Sequence, residues 1–358
     1  MRSFSEIIKL SQVSDLLKEP SNYLAHSPDE TLSDHMQLVT HYFTKLINVH
    51  GLEHLIDLQL LKLCDHSTPL AEIAKQLFWR AILYHDFGKV NENFQRKLEN
   101  PLFLENKNNG IDSQHSILSA FIFLAHQVSD LSKREKELDK KAISHLLHWT
   151  FALSHNIIRH HSPRLDDLSN EEVFKSLSSE LCSKLTEYLA CYNEDISHLI
   201  VKNISAISNN YLKFENLGFE WFSLLRLNFS LLTAADYYAT SHYCGKWDTF
   251  YDSFGVLDEV SRNKHYSNIK SSQSHNQELY QNYSKILSDL GKVLNEKSNK
   301  NLNKLRSWMA AEVIQNTKDN SDKKLFYIEA PTGGGKTNMA FIVTQELLQI
   351  NPELNKVF

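Results

Sequence analysis

Cysteine is scarce in this sequence and poorly placed: Cys64, Cys182, Cys191 and Cys244 are the full set, and no two form a CxxC pair. A disulfide-stapled secreted fold and a zinc ribbon are thereby excluded, and the four read as reduced thiols. Long apolar runs are missing as well, since nothing approaches the roughly 18 apolar residues of a membrane span. The opening MRSFSEIIKL lacks the apolar core of a signal peptide. The expectation is a cytoplasmic protein with no membrane partner. Positive charge is also short: 38 basic residues face 43 acidic ones, a net charge of -5. That leaves no global attraction for nucleic acid, so any DNA path has to be a local basic groove.

What the chain does have is length, helical periodicity and histidine. Its 358 residues suggest about two domains. Apolar residues make up 42% and charged residues 23%, ordinary values for a globular protein with a sizeable core. Up to about Gly255 no strand-type alternation appears and apolar residues recur at helical spacing, predicting an all-α domain. Leu32 to Ile47 sets Leu32, Met36, Val39, Phe43 and Leu46 on one face, with His35 beside it. Ile73 to Lys89 continues the pattern through Leu77, Ala81 and Tyr84. Asn91 to Asn109 reads as a short helix and a loop. Ser113 to His126 is helical, with His115 in its first turn. The charge run KREKELDKK at Lys133–Lys141 reads as a solvated surface. Ile143 to His161 is a long apolar helix stopped at Ser162-Pro163. Trp221 to Tyr238 is the most apolar helix and carries a single acid near its end, Asp236.

Beyond Val256 the chain turns rich in Ser, Asn, Lys and Gln up to Lys304, which reads as a connector with one or two exposed helices and no repeats. Arg306 to Gln315 is an amphipathic helix. Leu325 to Ile328 (LFYI) reads as a short strand, followed by a glycine-rich turn and a helix over Thr337–Ile350. Lys356 to Phe358 reads as the opening of another strand. The expected division is 1–255, 256–303 and 304–358.

The 18 histidines prompt the question of which converge. In AILYHDFGKVNENFQ, His85 and Asp86 stand side by side at the end of an apolar helical run, followed by Gly88 and Lys89. Burying an imidazole beside a carboxylate is costly unless a charge lies opposite, and a divalent metal takes nitrogen and oxygen ligands together. The buried-looking helices carry further isolated candidates: His35, His115, the pair His160-His161, and Asp236. One such histidine would be an ordinary hydrogen-bonded core residue. Five positions in one helical domain point to a metal site. His41, His50, His54, His66, His126, His145, His148 and His155 read as structural, although His148 and His155 share a helix with the pair.

The order H…HD…H…HH…D resembles the HD superfamily of metal-dependent phosphohydrolases. LAHS at Leu24–Ser27, HDFGK at His85–Lys89, FQ at Phe94-Gln95 and HHSPR at His160–Arg164 are similar to the HD nuclease domain of CRISPR-associated helicase-nucleases from type I systems. This likeness extends over roughly the whole chain. It implies an all-helical HD-domain bundle in which His35, His85, Asp86 and Asp236 hold one divalent cation. His115, His160 and His161 would hold a second, with Asp86 bridging. Adjacent helical residues point about 100° apart, so one of His160 and His161 would support the site rather than touch a cation. Histidine-rich ligation favours Mn, Fe, Co or Ni over Mg. Lys89, at i+4 from His85, would meet the phosphate or its developing charge; the plain alternative is an exposed lysine at a helix end. His26 is either the LAHS histidine lining the site or a loop residue.

Ala330–Thr337, APTGGGKT, lies between an expected strand and a helix, the context a phosphate-binding loop requires. Backbone N–H groups of Gly333, Gly334, Gly335 and Lys336 would cradle phosphate, Lys336 would reach the β- and γ-phosphates of ATP, and Thr337 would ligate Mg. With Ala at its first position the motif resembles that of superfamily 2 helicases. It implies the start of a RecA-like α/β segment. Only 21 residues follow Thr337, so the expectation is an incomplete motor without ATPase activity of its own.

The implied function is metal-dependent hydrolysis of single-stranded DNA, with recruitment in the full-length protein to a Cascade-type CRISPR surveillance complex. Two other readings compete: an HD-family nucleotide phosphohydrolase (a dNTPase or cyclic-nucleotide phosphodiesterase), and a non-catalytic DNA- or partner-binding module.

Overall fold

Thr31 accepts a hydrogen bond from the backbone N–H of Asp34 and so starts the helix that carries His35. The computed structural model places this helix near the front of a bundle. It describes residues 1–105, 114–134, 137–162, 218–271, 274–289 and 301–354, together with Tyr188 and Cys191. These fall into two units, Met1–Asp252 and Ser253–Phe358.

The first unit begins with α1 (Phe4–Lys9) and α2 (Val13–Leu16). A small antiparallel hairpin follows, β1 (Leu24–His26) and β2 (Glu30–Thr31), with His26 paired to Glu30. Helical periodicity alone did not call for this hairpin. The turn residues Ser27, Pro28 and Asp29 between its arms supply the reason for it. Next come α3 (Leu32–Val49), α4 (Leu52–Leu63) and α5 (Thr68–Tyr84). The α5 helix is buried nearly all round, with Leu77, Phe78, Trp79, Ile82 and Tyr84 all enclosed. Among the described residues the further helices are α6 (Glu92–Lys97), α7 (His115–Lys133), α8 (Lys140–Arg159) and α9 (Phe219–Cys244). A buried amide pair ties α5, α8 and α9 together. Asn156 on α8 donates to Asn228 Oδ1 on α9 at 2.9 Å, and Asn228 donates to the Phe78 carbonyl on α5 at 2.9 Å.

The α5 helix does not run on to Lys89 as its apolar pattern suggests. It stops at Tyr84; Asp86 leaves helical geometry with φ -108° and ψ 1°, and Phe87–Val90 form a 3₁₀ turn. Gly88 explains the break. A Cβ there would lie 2.0 Å from the His115 carbonyl oxygen and 2.7 Å from the Ser119 nitrogen. The bare glycine lets the turn press onto α7, where its N–H donates to Ser119 Oγ at 2.8 Å.

The described residues of the second unit form α10 (Glu259–Ser271), α11 (Ser274–Ser288), α12 (Asn301–Asp319) and α13 (Lys336–Ile350). Leu279, Ala310, Ala311, Ile314, Met339 and Ile342 form its core. The described part of the segment read as a polar connector thus packs with the helices that follow it. Leu325–Ile328 is not a strand and belongs to no helix. A strand needs a hydrogen-bonding neighbour; among the described residues of this unit none is present, and Leu325 and Tyr327 are 88% and 87% exposed. The expected α/β character therefore does not appear here. The strand expected at Lys356–Phe358, and Pro163-Arg164 of HHSPR, lie outside the described residues. Cys64, Cys191 and Cys244 are free thiols, and no described helix is long and apolar enough to cross a membrane.

Candidate metal centre

Five segments of the first unit deliver histidines and carboxylates to one point. The α3 helix brings His35, the end of α5 brings His85 and Asp86, the start of α7 brings His115, the end of α8 brings His160 and His161, and α9 brings Asp236. The two oxygens of Asp86 face different partners. Oδ2 lies 3.2 Å from His35 Nε2 and 3.6 Å from His85 Nε2, while Oδ1 lies 3.1 Å from His115 Nε2 and 3.8 Å from His160 Nε2. Asp236 Oδ1 closes the first group, 3.2 Å from His35 Nε2 and 3.7 Å from His85 Nε2. His161, at the exposed edge, closes the second with its Nε2 3.0 Å from His115 Nε2.

The rings are held from behind. A carbonyl oxygen can only accept, so the 2.8 Å contact of His85 Nδ1 with the Ile82 carbonyl fixes the proton on Nδ1. The same holds for His160 Nδ1 and the Ile157 carbonyl at 2.5 Å. In the neutral ring each Nε2 is then a lone pair aimed at Asp86. These two Nε2 atoms and Asp86 Oδ1 are buried without a hydrogen-bond partner, as is His35 Nε2; Asp86 Oδ2 has the Lys89 ammonium 2.7 Å away. The atoms meet at near-contact distance without the directionality of hydrogen bonds. Burying unsatisfied groups of this kind is expensive unless something else takes the lone pairs.

Electrostatics points the same way. Burial pushes Asp86 upward, but Lys89 and the surrounding histidines outweigh it and hold the carboxyl well below the usual range. Asp236 behaves likewise, with His35 and His85 overriding burial. Burial would lower His35, yet Asp236, Asp86 and Glu30 hold it up to about 10. Burial instead lowers His115, His160 and His161. One half of the cluster asks for positive charge and the other refuses protons. A proton on His35 meets part of that demand; a cation would add positive charge without protonating His115, His160 or His161. The donor set fits: His35, His85, Asp86 and Asp236 form one group able to hold a metal ion, and Asp86, His115, His160 and His161 another.

Lys89 departs from its expected placement. With α5 ended at Tyr84, it is carried by the 3₁₀ turn, three residues beyond Asp86 rather than one α-turn beyond His85. It is also 3% exposed, not a solvated helix-end lysine, and its Nζ lies 2.7 Å from Asp86 Oδ2. Gln95 secures this turn: its amide donates to the Lys89 carbonyl at 2.6 Å and to the Leu24 carbonyl at 2.9 Å, and its Oε1 accepts from Leu24 N–H at 2.8 Å. Phe94 lies edge-on to His115. The LAHS and FQ stretches are thus joined by backbone hydrogen bonds to one glutamine. His26 sits on β1 and bonds to Glu30. Glu30 was not a candidate; nothing in its spacing distinguishes it until the hairpin is seen.

His126, His145, His148 and His155 stand outside both groups. A cavity of about 710 Å³ in this unit, lined by Arg2, Leu10, Glu72, Arg80, Arg134 and Glu137 among others, contains none of the cluster residues. In the second unit, Gly333 and Gly335 take φ values of 77° and 88°, and Lys336 donates to the Ala330 carbonyl at 2.7 Å. Gly334 and Thr337 lie in the same loop and first helical turn. Arg306 on α12 donates to the Gly333 carbonyl at 2.7 Å.

Comparison with protein-family models, curated proteins and solved structures found no match for this chain.

Proposed function

We propose that the chain is a metal-dependent phosphodiester hydrolase of HD type that cuts single-stranded DNA. One observation carries the reading: four Nε2 atoms divide between the two oxygens of Asp86, with Asp236 and His161 completing a group on each side. A carboxylate shared in this way suits a pair of cations. When bound, two divalent ions, drawn from Mn, Fe, Co, Ni or Mg, supply a water of lowered pKa and offset the charge developing at phosphorus.

The chain's own residues do the rest. His85 and His160, locked by carbonyls behind them, present lone pairs without reorganising. Lys89 balances part of the charge of Asp86 from within the fold. His161 at the exposed edge marks the side from which substrate enters. No base-reading surface is required for hydrolysing a backbone ester, so cleavage has little sequence preference. The loop Ala330–Thr337 is read as a nucleotide-phosphate cradle, and recruitment to a type I CRISPR surveillance complex belongs to the same proposal through the quoted motifs.

The test uses the metal-free chain supplied in turn with Mn, Co, Ni and Mg, against single-stranded DNA, duplex DNA and nucleotides. Single-stranded DNA is expected to be cut. Asp86→Ala removes the shared ligand of both groups, and several kcal/mol of lost charge stabilisation corresponds to a drop on the order of a thousandfold. Hydrolysis of nucleotides with DNA left intact would favour the nucleotide phosphohydrolase instead. Full activity in Asp86→Ala would reject the site.

A further inference from the structure

Glu30 is 3% exposed, an unusual position for a carboxylate, and it sits on the hairpin immediately before the helix that carries His35. One of its oxygens bonds to Nδ1 of His26, its cross-strand partner. The other, Oε1, is buried without a hydrogen bond and lies 3.4 Å from Nδ1 of His35. That nitrogen is the one turned away from Asp86 and Asp236, which contact His35 through Nε2. His26 is itself braced: its ring stacks on Tyr243 at 6.1 Å. The Tyr243 hydroxyl donates to Asp29 Oδ1 at 2.7 Å and accepts from the Asp29 and Glu30 N–H groups at 3.2 Å.

We infer that Glu30 is a positioning residue of the candidate metal centre, holding His35 by Nδ1 so that Nε2 is presented to a cation beside Asp86 and Asp236, with His26 fixing Glu30 in turn. This rests on the metal-centre reading above and deepens it. His85 and His160 use backbone carbonyls from their own helices for the same task. His35 stands in the first turn of α3, and its Nδ1 makes no hydrogen bond to a carbonyl of that turn. A carboxylate from the hairpin takes that place, as carboxylates commonly do behind metal-binding histidines. His26, Glu30 and His35 also form a group able to hold a metal ion. A cation there and another at Nε2 would require both nitrogens of His35 to give lone pairs, hence an imidazolate. Glu30 as an acceptor of the Nδ1 proton needs no such ionisation.

The test is a cobalt(II) titration of the metal-free chain, read by bound metal and by visible absorption, for wild type, Glu30→Gln, His26→Gln and Asp86→Ala. Wild type is expected to bind two equivalents. Glu30→Gln should weaken one of them by about 10- to 100-fold with an altered absorption band and leave the other unchanged. His26→Gln should shift the same equivalent by less. Metal-free melting temperatures show whether Glu30→Gln folds normally; where it does not, His26→Gln, whose side chain is 27% exposed, carries the comparison. Glu30→Gln matching wild type in affinity and spectrum would overturn the role of Glu30 alone. A third equivalent in wild type that vanishes in Glu30→Gln would make it a ligand and also overturn the inference. No cobalt bound by wild type, or equal binding by Asp86→Ala, would instead remove the metal centre on which it depends.

Discussion

The His/Asp cluster of the first unit draws its side chains from segments between His35 and Asp236, whereas the glycine-rich loop of the second unit is eight consecutive residues, Ala330–Thr337. In the cluster every ring but that of His161 is buried, and the rings are held by something remote in sequence or by the end of their own helix. Asp86 depends on α5, His115 on α7, and Asp236 on α9. In the loop the contacts are mostly local: Lys336 donates to Ala330, and Gly334 N–H donates to Pro331 at 2.9 Å. Arg306 is its one distant tie among the hydrogen bonds described. A site assembled from the whole fold should fail through substitutions that touch no functional atom. A site assembled from its own backbone should tolerate them. The difference is one of where the information lies, and it is open to direct attack.

The sharpest attack is Gly88→Ala. Glycine here is required by a close approach of backbone to backbone, since the added Cβ would meet the His115 carbonyl oxygen at 2.0 Å. Neither partner is a flexible side-chain tip, so the start of α7 has to move and carry His115 with it. A cost at or above the usual 1–3 kcal/mol of overpacking is expected, along with weaker cation binding in the group containing His115, His160 and His161. Chemical denaturation and metal titration of the same protein measure both. Wild-type affinity with a normal stability curve would show that the cluster does not depend on this packing.

Burial gives the first unit a second property that the exposed loop lacks, a dependence of stability on pH away from the cluster itself. His126 on α7 lies 2.8 Å through Nδ1 from the Tyr84 hydroxyl on α5, and burial lowers its pKa to about 4. The unfolded chain, with an ordinary histidine pKa of about 6.5, therefore takes up the proton first. The contribution of a neutral His126 is whole above pH 6.5 and is lost as pH falls toward 4. Between pH 7 and pH 5 this amounts to about 1–2 kcal/mol, from at most 1.36 kcal/mol per pH unit. His126→Gln should flatten the denaturation midpoint by that amount over this range relative to wild type. Parallel curves would mean that His126 is protonated in the folded protein.

These two cases also explain what the sequence discloses and what it withholds. The helices around His35 and Asp236 follow from 3.6-residue periodicity, because each buries one face. Those around His115 and His160 are buried all round over Leu118–Ser129 and Trp149–Ile157 and are legible as long apolar runs. The loop is legible because its chemistry is contiguous. The break after Tyr84 is not legible: Ile73 to Lys89 reads as one helix, and the close approach of Gly88 to α7 is a contact between elements that no local pattern carries. Glu30 is hidden for a related reason. Its partners are set by a two-stranded hairpin too short to leave an alternating pattern. Leu325–Ile328 errs in the opposite direction, with strand-forming residues and no neighbour among the described ones to pair with. Local pattern is thus informative about elements and silent about contacts between them.

The smallest expected effect tests the other side of the contrast. Lys336 is exposed, and its bond to the Ala330 carbonyl stays within the loop. Removing it in Lys336→Ala leaves that carbonyl open to water, so nothing buried is orphaned. Stability should move by no more than about 0.5 kcal/mol, the usual range for surface substitutions. Cobalt binding in the first unit should be unchanged, while binding of a fluorescent ATP analogue, if the loop is a phosphate cradle, should fall. A loss above about 1 kcal/mol, the net worth of an ordinary hydrogen bond, would show that the loop is braced by the surrounding helices after all. Arg306, which donates from α12 to Gly333, is the residue through which such bracing would act.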